Sequence, residues 1–349
     1  SANLTWETAK KHDIGLDLVL FKNKFTLTVD AFRDNRSNIF MKRNLMPYST
    51  GLQDLQPWAN IGQMMSTGMD GLFSYTDKIG KVNFTLRGNF TYATTDVLNY
   101  DEADNALAYQ MTKGYRLNQT RGLIALGLFK NQEDIDNSPS QSTYGTYFPG
   151  DIKYKDVNGD GIVNNNDVVP IGNTTVPSFV YGAGLSLNWK NFDFNMLFQG
   201  AGMVDFFLSG NSVQPFSGGS VGNILEVLTN PNDRWISREI SGTAETENLN
   251  AILPRLSYGS SSGSKNNFQN STYWLRDGRY LRLKNLEFGY NFPKKLVRTL
   301  HATNMRLGFI GQNLLVFSPF KWWDPELGSG DGARYPLSKT FSFNFTINF

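Results

Sequence analysis

The chain has 349 residues, 40% hydrophobic, 14% aromatic and 18% charged, with no cysteine, two histidines and a formal net charge of +2. The lack of cysteine excludes a disulfide-stapled domain and a thiolate metal or redox site, and the balanced charge excludes the concentrated basic excess of a nucleic-acid binder. The aromatic content excludes intrinsic disorder, and no run, Leu123–Phe129 included, approaches the roughly 18–20 apolar residues of a membrane-spanning helix.

Ser1–Lys11 is mostly polar and lacks the apolar run of a secretory leader, so the chain reads as a mature protein or as a piece of a longer one. From there the dominant pattern is alternation at period two, which puts one residue class on each face of a strand. A short turn at Lys22–Lys24 leads into the strand Phe25–Ala31, and a long segment over about 35–61 follows. After a turn at Lys78–Lys81, Val82, Phe84, Leu86, Phe90 and Tyr92 alternate with Asn83, Thr85, Arg87, Asn89 and Thr91. A second long segment, about 96–177, precedes the strands Phe179–Trp189 and Phe192–Phe198, which are joined by a turn at Lys190–Asn191. A third spans about 208–276. Beyond the moderate turn Pro293–Asn304 come Met305–Phe309, a fourth long segment at about 318–338, and a terminal strand. In that last strand Phe341, Phe343, Phe345, Ile347 and Phe349 alternate with Ser342, Asn344, Thr346 and Asn348 without exception. Helical stripes are nearly absent.

Tight turns alternating with long loops are the arrangement of an antiparallel up-and-down transmembrane β-barrel of the bacterial outer membrane, with turns on the periplasmic side and loops outside. Trp189, Phe192, Tyr290 and Phe292 fall beside the short turns, where an interfacial aromatic girdle belongs. The count comes to about nine strands, an odd number, whereas bacterial single-chain barrels are even and leave no edge unpaired in lipid. The expectation is therefore that the chain is the C-terminal portion of a larger barrel.

Three blocks sharpen this reading: Tyr273–Tyr290, Met305–Leu315 and Trp323-Asp-Pro-Glu326. Together with Gly150–Gly161, Pro177–Gly182 and the terminal Phe349, they resemble the C-terminal third of the SusC/RagA-like TonB-dependent transporters of Bacteroidetes. The resemblance covers roughly Ile61 to the end. It implies a barrel of about 22 strands holding an N-terminal plug. It also implies a SusD-like surface lipoprotein as lid, energy from TonB, and import of oligosaccharides or oligopeptides. The partners it calls for are the remaining N-terminal barrel and plug, the lipoprotein, TonB through the plug, membrane lipid and the glycan or peptide; a nucleic acid is not among them.

Asp156-Val-Asn-Gly-Asp-Gly-Ile-Val-Asn-Asn-Asn-Asp167 has the spacing of a calcium loop. Oxygen donors at alternate positions would wrap the ion: the side chains of Asp156, Asn158, Asp160 and Asp167, the carbonyl of Ile162, and Asn164 through water. The plainer alternative is a Gly/Asn/Asp turn without an ion. Catalysis finds little to use. His12 and His301 are far apart in sequence, the pairs Asp101/Glu102 and Glu133/Asp134 read as solvated loop acids, and Gly218-Gly219 and Gly328–Gly332 lack the strand-loop-helix setting of a phosphate cradle. The chain reads as a non-enzyme. Substrate contacts are expected from loop residues: Trp58, Tyr109, Tyr115, Tyr144, Tyr147, Phe216, Trp235, Trp322 and Tyr335, with Arg121, Asp233 and Arg234 as polar partners. Loop packing or contact with the lid is the competing role for each. Two other functions remain open at this point, a passive porin-like channel and a soluble calcium-binding β-protein acting on glycans.

Overall fold

The computed structural model describes residues 4–45, 49, 51, 56–104, 107–217, 223–238, 242, 248–256 and 265–349. In chain order, β1 (Thr8–Leu20), β2 (Phe25–Lys42), β3 (Trp58–Ile79) and β4 (Val82–Asn99) are long strands. The short strands β5 (Arg121–Gly122), β6 (Ala125–Leu128), β7 (Ile152–Tyr154) and β8 (Val169–Pro170) follow. Next come β9 (Phe179–Trp189), β10 (Phe192–Gly202), the short β11 (Asp205–Phe207) and β12 (Leu275–Asp277), and β13 (Tyr280–Asn291), β14 (Asn304–Phe317) and β15 (Thr340–Asn348). The nine long strands form one sheet in the order β1-β2-β3-β4-β9-β10-β13-β14-β15, every neighbour antiparallel, which is an uninterrupted meander.

The register turns the sequence alternation into two opposite faces. One row crosses all nine strands as Leu20, Phe25, Tyr75, Leu86, Leu185, Met196, Leu286, Gly311 and Phe341. The adjacent row runs through Val19, Thr26, Ser74, Arg87, Gly184, Leu197, Asn285, Gln312 and Thr340 and is largely polar. Side chains of neighbouring rows point to opposite sides of a pleated sheet, so the apolar row belongs to a band and the polar row to a lumen. Band side chains remain uncovered, with Phe343 79%, Phe288 47% and Leu86 42% exposed. Lipid is the solvent that makes such a face stable.

The turns at the end opposite the long loops are short. Ile79 pairs directly with Val82, so Gly80-Lys81 is a two-residue hairpin loop, and Gly80 takes the positive φ (60°) that such a turn demands. The connection from β13 to β14 holds the helix Lys294–Thr299, whose Val297 is buried against Ala302 and Met305. Beside these turns Trp189, Phe192, Tyr290 and Phe292 pack ring to ring, stacked, tilted and edge-to-face in turn, at centroid separations of 6.1, 4.9 and 5.2 Å. That chain of rings is the girdle expected at the periplasmic interface.

The long connections differ somewhat from their expected limits, running over 43–57, 100–178, 203–279 and 318–339. The first shrinks most, because β2 and β3 stay paired through Phe40–Asn60, Met41–Ala59 and Lys42–Trp58. These strands extend beyond the band, where alternation of apolar and polar residues no longer marks them. The main core lies outside the sheet, in the loops themselves. Leu123, Ile152, Tyr154 and Val163 from the second connection pack with Leu208, Val213, Leu228, Leu253 and Trp274 from the third and Phe320 from the fourth. Burial of each such side chain contributes about 1.5–3 kcal/mol, so three connections fold as a single lobe.

Candidate substrate-facing lobe and lumen wall

The lobe is fixed by a buried polar network between its second and third connections. Gln141, fully buried, donates to the Ile152 carbonyl (2.9 Å) and to Asn266 Oδ1 (2.6 Å) and accepts from the Tyr154 amide (2.6 Å). Asn267 accepts from the Ile152 amide (2.8 Å) and donates to Asp151 (2.7 Å), while the Trp274 indole donates to the Asn267 carbonyl (2.7 Å). Asp151 is fully buried and ion-paired with Arg255 at 2.7 Å. Burial pushes its carboxyl above the ordinary aspartate range despite that guanidinium. Separately, Asp101 ties the first connection to the second by accepting from Arg43 (3.1 Å) and from the amides of Asn44 (2.6 Å) and Leu45 (3.0 Å). Burial alone would raise Asp101, but the Leu45 amide, the Arg43 guanidinium and the Asn44 amide together hold it below the usual value.

Arg282 joins lobe to barrel. It sits on the lumen side of β13, is 2% exposed, and donates from Nη2 to Asp324 at 2.5 and 2.7 Å and from Nε to Glu326 at 2.5 Å. The turn Trp323-Asp-Pro-Glu326 is thereby clamped to the strand, with Asp324 also capping the Glu326 amide at 3.0 Å. Lower on the same face, Arg306 of β14 bridges Asp193 of β10 (2.5 Å) and Glu287 of β13 (2.6 Å). Gly289 leaves the room for this pair: a Cβ there would lie 2.3 Å from both Arg306 Nη2 and Asp193 Oδ2. Sequence reading missed both clusters. The available signal was that Arg282, Asp193, Glu287 and Arg306 all fall on the lumen phase of their strands, where charges seek partners.

The loop residues expected to meet substrate divide by environment. Arg121 donates to the carbonyls of Tyr109 and Met111 and lies over the Tyr115 ring at 4.8 Å, while the Tyr109 hydroxyl donates to the Asn166 carbonyl (2.7 Å). Tyr144 belongs to the core, and burial raises its hydroxyl to about 12. Tyr147 stacks on Phe129 at 5.6 Å. Arg234 donates to the carbonyls of Leu228 (3.0 Å) and Pro254 (3.2 Å), and Asp233 accepts from Asn230 (3.0 Å). Phe216 is partly buried, with a positive φ of 65°. Trp235, 5% exposed, packs on Gly150 and lines a cleft of about 730 Å³ with Phe148, Arg238 and Arg255. Trp322 clusters with Phe320 and Trp323. Trp58 stacks on Phe40 at 4.9 Å with 47% exposure, and Tyr335 is 87% exposed. Trp58, Trp322 and Tyr335 thus keep accessible ring surface, whereas most of the others are engaged within the lobe.

The Asp156–Asp167 segment wraps its oxygens around backbone amides. Asp156 accepts from Gly159 (2.7 Å) and Gly161 (2.8 Å), Asp160 from Ile162 (2.9 Å), Asn158 from Asp160 (3.1 Å) and Asn164 from Asn166 (2.6 Å). Asp167, fully buried, accepts from Val157 (2.7 Å) and Asn164 (2.8 Å). Gly161 makes the sharp turn at φ 82°. Among the described residues no three His, Asp or Glu side chains converge as a metal cluster.

A meander with an apolar belt, a polar lumen face, short turns at one end and a loop lobe at the other defines the wall of an outer-membrane β-barrel. A sequence model of the family described as TonB dependent receptor-like, beta-barrel, matches residues 1–314, and the chain belongs to that family. It is 26% identical to TonB-dependent receptor P3 of Formosa agariphila, covering 99% of this chain and 34% of that protein. It is 22% identical to TonB-dependent receptor SusC of Bacteroides thetaiotaomicron over 99% of this chain and 32% of that one. The structure of the RagAB peptide importer in its open-open state superimposes with a TM-score of 0.71 at 19% identity, covering 99% of this chain and 35% of that one, a likeness of fold. The chain therefore spans about a third of the length of the relatives it matches, and it is a protein of the bacterial outer membrane.

Proposed function

We propose that the chain forms the C-terminal wall and extracellular lobe of a TonB-dependent importer that carries oligosaccharides or oligopeptides across the outer membrane under a SusD-like lipoprotein lid. The observation that carries this reading is the pair of unbroken rows, apolar outside and polar inside, beneath a lobe folded at the loop end. Among the described residues β1 and β15 are each paired on one side only, and lipid does not tolerate such edges. The remaining barrel strands of the same transporter are their natural partners, with the plug in the lumen and TonB reached through it. Transport needs no covalent step, in keeping with a lobe built for packing. A passive porin lacks the plug, and a soluble glycan-binding protein cannot keep the apolar band in water.

Oligosaccharide is the substrate class to test first, because Trp58, Trp322 and Tyr335 offer ring faces for stacking on sugars. The test is growth and labelled-substrate uptake in the native bacterium after deletion of the gene. Loss of uptake of one oligosaccharide class, restored by the gene and abolished by de-energising TonB, is the expected result; loss of peptide uptake alone would move the assignment to peptides, and unchanged uptake of both would remove the importer reading.

For the Asp156–Asp167 loop we propose a structural calcium ion held by Asp156, Asn158, Asp160, Asp167 and the Ile162 carbonyl, with Asn164 through water. Support comes from the donor spacing and from Asp156, Asp160 and Asp167 all folding back onto amides of the same loop, oxygens that an ion could recruit. Extracellular calcium sites bind at about 10⁻⁴–10⁻³ M. The expected result is that millimolar calcium raises the melting temperature of the lobe, that a chelator reverses this, and that Asp156→Asn removes the response. A melting curve indifferent to calcium would leave a simple Asx-rich turn.

A further inference from the structure

On the outward face, Tyr181, Gly200, Leu281 and Phe317 form one row across β9, β10, β13 and β14. Gly200 has no side chain, and the Tyr181 ring lies across it; a Cβ there would sit 2.4 Å from the ring. Two rows nearer the loops, on the same face, Gly202 pairs with Phe179, whose ring is 3.7 Å from where the Gly202 Cβ would be. Tyr181 covers Gly200, and beside that ring Gly202 opens a trough of about 470 Å³ walled by Phe179, Tyr181, Leu281 and Phe317, with Met203 at its loop end. Its apolar lining is open to the surroundings, Phe317 being 54% and Met203 42% exposed.

The trough does not end in apolar surface. Arg279 stands at its loop end, its side chain 66% exposed and paired with Asp277 at 3.0 Å. A second groove shares Pro319 and is lined by Lys321, Arg276 and Asp277. Arg276 is committed to the carbonyls of Tyr273 (2.7 Å) and Leu275 (2.9 Å), so the cations that reach the ledge are Lys321 and the exposed Arg279, the latter sharing its charge with Asp277. A hydrophobic slot in the belt, capped on the outer side by positive charge, matches an amphiphile with an acyl chain and an anionic head.

We propose that this trough and ledge bind an anionic glycolipid of the outer leaflet, one acyl chain lying over Gly202 between the Phe179 and Tyr181 rings and Phe317, and a phosphate held by Arg279 and Lys321. The proposal rests on the outer-membrane placement and not on what the transporter carries. A cation beside a charged lipid head contributes enough to change affinity about fivefold. Binding strengthens as the chain fills a slot that flat belt surface does not provide.

The test is native mass spectrometry of the intact barrel protein extracted from outer membranes in mild detergent and titrated with phosphorylated lipid A, dephosphorylated lipid A and phosphatidylglycerol. Phosphorylated lipid A is expected to bind tightest. Arg279→Ala and Lys321→Ala should each weaken it about fivefold, and the double variant about 25-fold. Phe317→Ala, which narrows no strand pairing, should weaken all three lipids alike. Equal binding of phosphorylated and dephosphorylated lipid A, or an unchanged affinity in the double variant, overturns the proposal. Phosphatidylglycerol bound as tightly as lipid A overturns the glycolipid assignment.

Discussion

Arg282→Met is expected to release the fourth connection from the barrel wall. The substitution keeps the length and apolar stem of the side chain but strands Asp324 and Glu326, two carboxylates that are 13% and 21% exposed in their side chains. Removing one partner from a buried ionic cluster costs about 3–5 kcal/mol, a large share of the stability of a loop lobe. Limited proteolysis in detergent should then cut within 318–339 at rates at least tenfold above the parent, while the strands stay protected. Arg282→Lys should fall between, because an ammonium cannot reproduce the fork that serves both carboxylates. If the methionine variant resisted protease as well as the parent, the clamp would not be what holds this turn.

Leu86→Arg is expected to prevent assembly in the membrane, whereas Thr85→Arg, one residue away, should assemble. Leu86 lies on the apolar row near mid-height of the belt and is 42% exposed. An arginine on the lipid face near the midplane costs about 2–4 kcal/mol. Thr85 points to the lumen, where it meets Thr76 at 3.0 Å, so a longer cation there can reach water. The readout is heat-modifiable mobility and abundance in isolated outer membranes. Equal assembly of both variants would mean that the two faces are assigned the wrong way round, or that this face never meets lipid.

The sheet was largely legible in the sequence because a membrane barrel writes its two solvents into every strand. Phe341–Phe349 shows it most plainly. Legibility faded where the solvent stopped alternating: β2 and β3 above the belt contact water on both sides, so the paired ends at Phe40–Lys42 and Trp58–Asn60 looked like loop. It faded again at β13, where a register shift between Leu283 and Asn285 moves outward residues from odd to even positions. The site was less legible. Tyr144, Tyr147 and Arg234 have the right chemistry for a ligand, yet they spend it on the lobe. Whether such a side chain faces a sugar or its own loop depends on how each connection folds back on itself, Tyr147 meeting Phe129 and Arg234 the carbonyls of Leu228 and Pro254, and no periodic pattern carries that information. Arg282 hid for the same reason, its partners lying 42 and 44 positions away.

The loop core has a bearing on how the molecule is made. Leu123, Leu208 and Phe320 belong to three different hairpin connections, so the core they share cannot be completed until the strands between them have been laid side by side. Closing such long loops is entropically slow. During biogenesis these segments must pass to the cell exterior as open chain, with Trp274 and Phe320 still uncovered, and the lobe can set only after β14 has joined the wall. Maturation of the outer surface is thus a late checkpoint on insertion, and a lobe that has set reports that the preceding strands are in register.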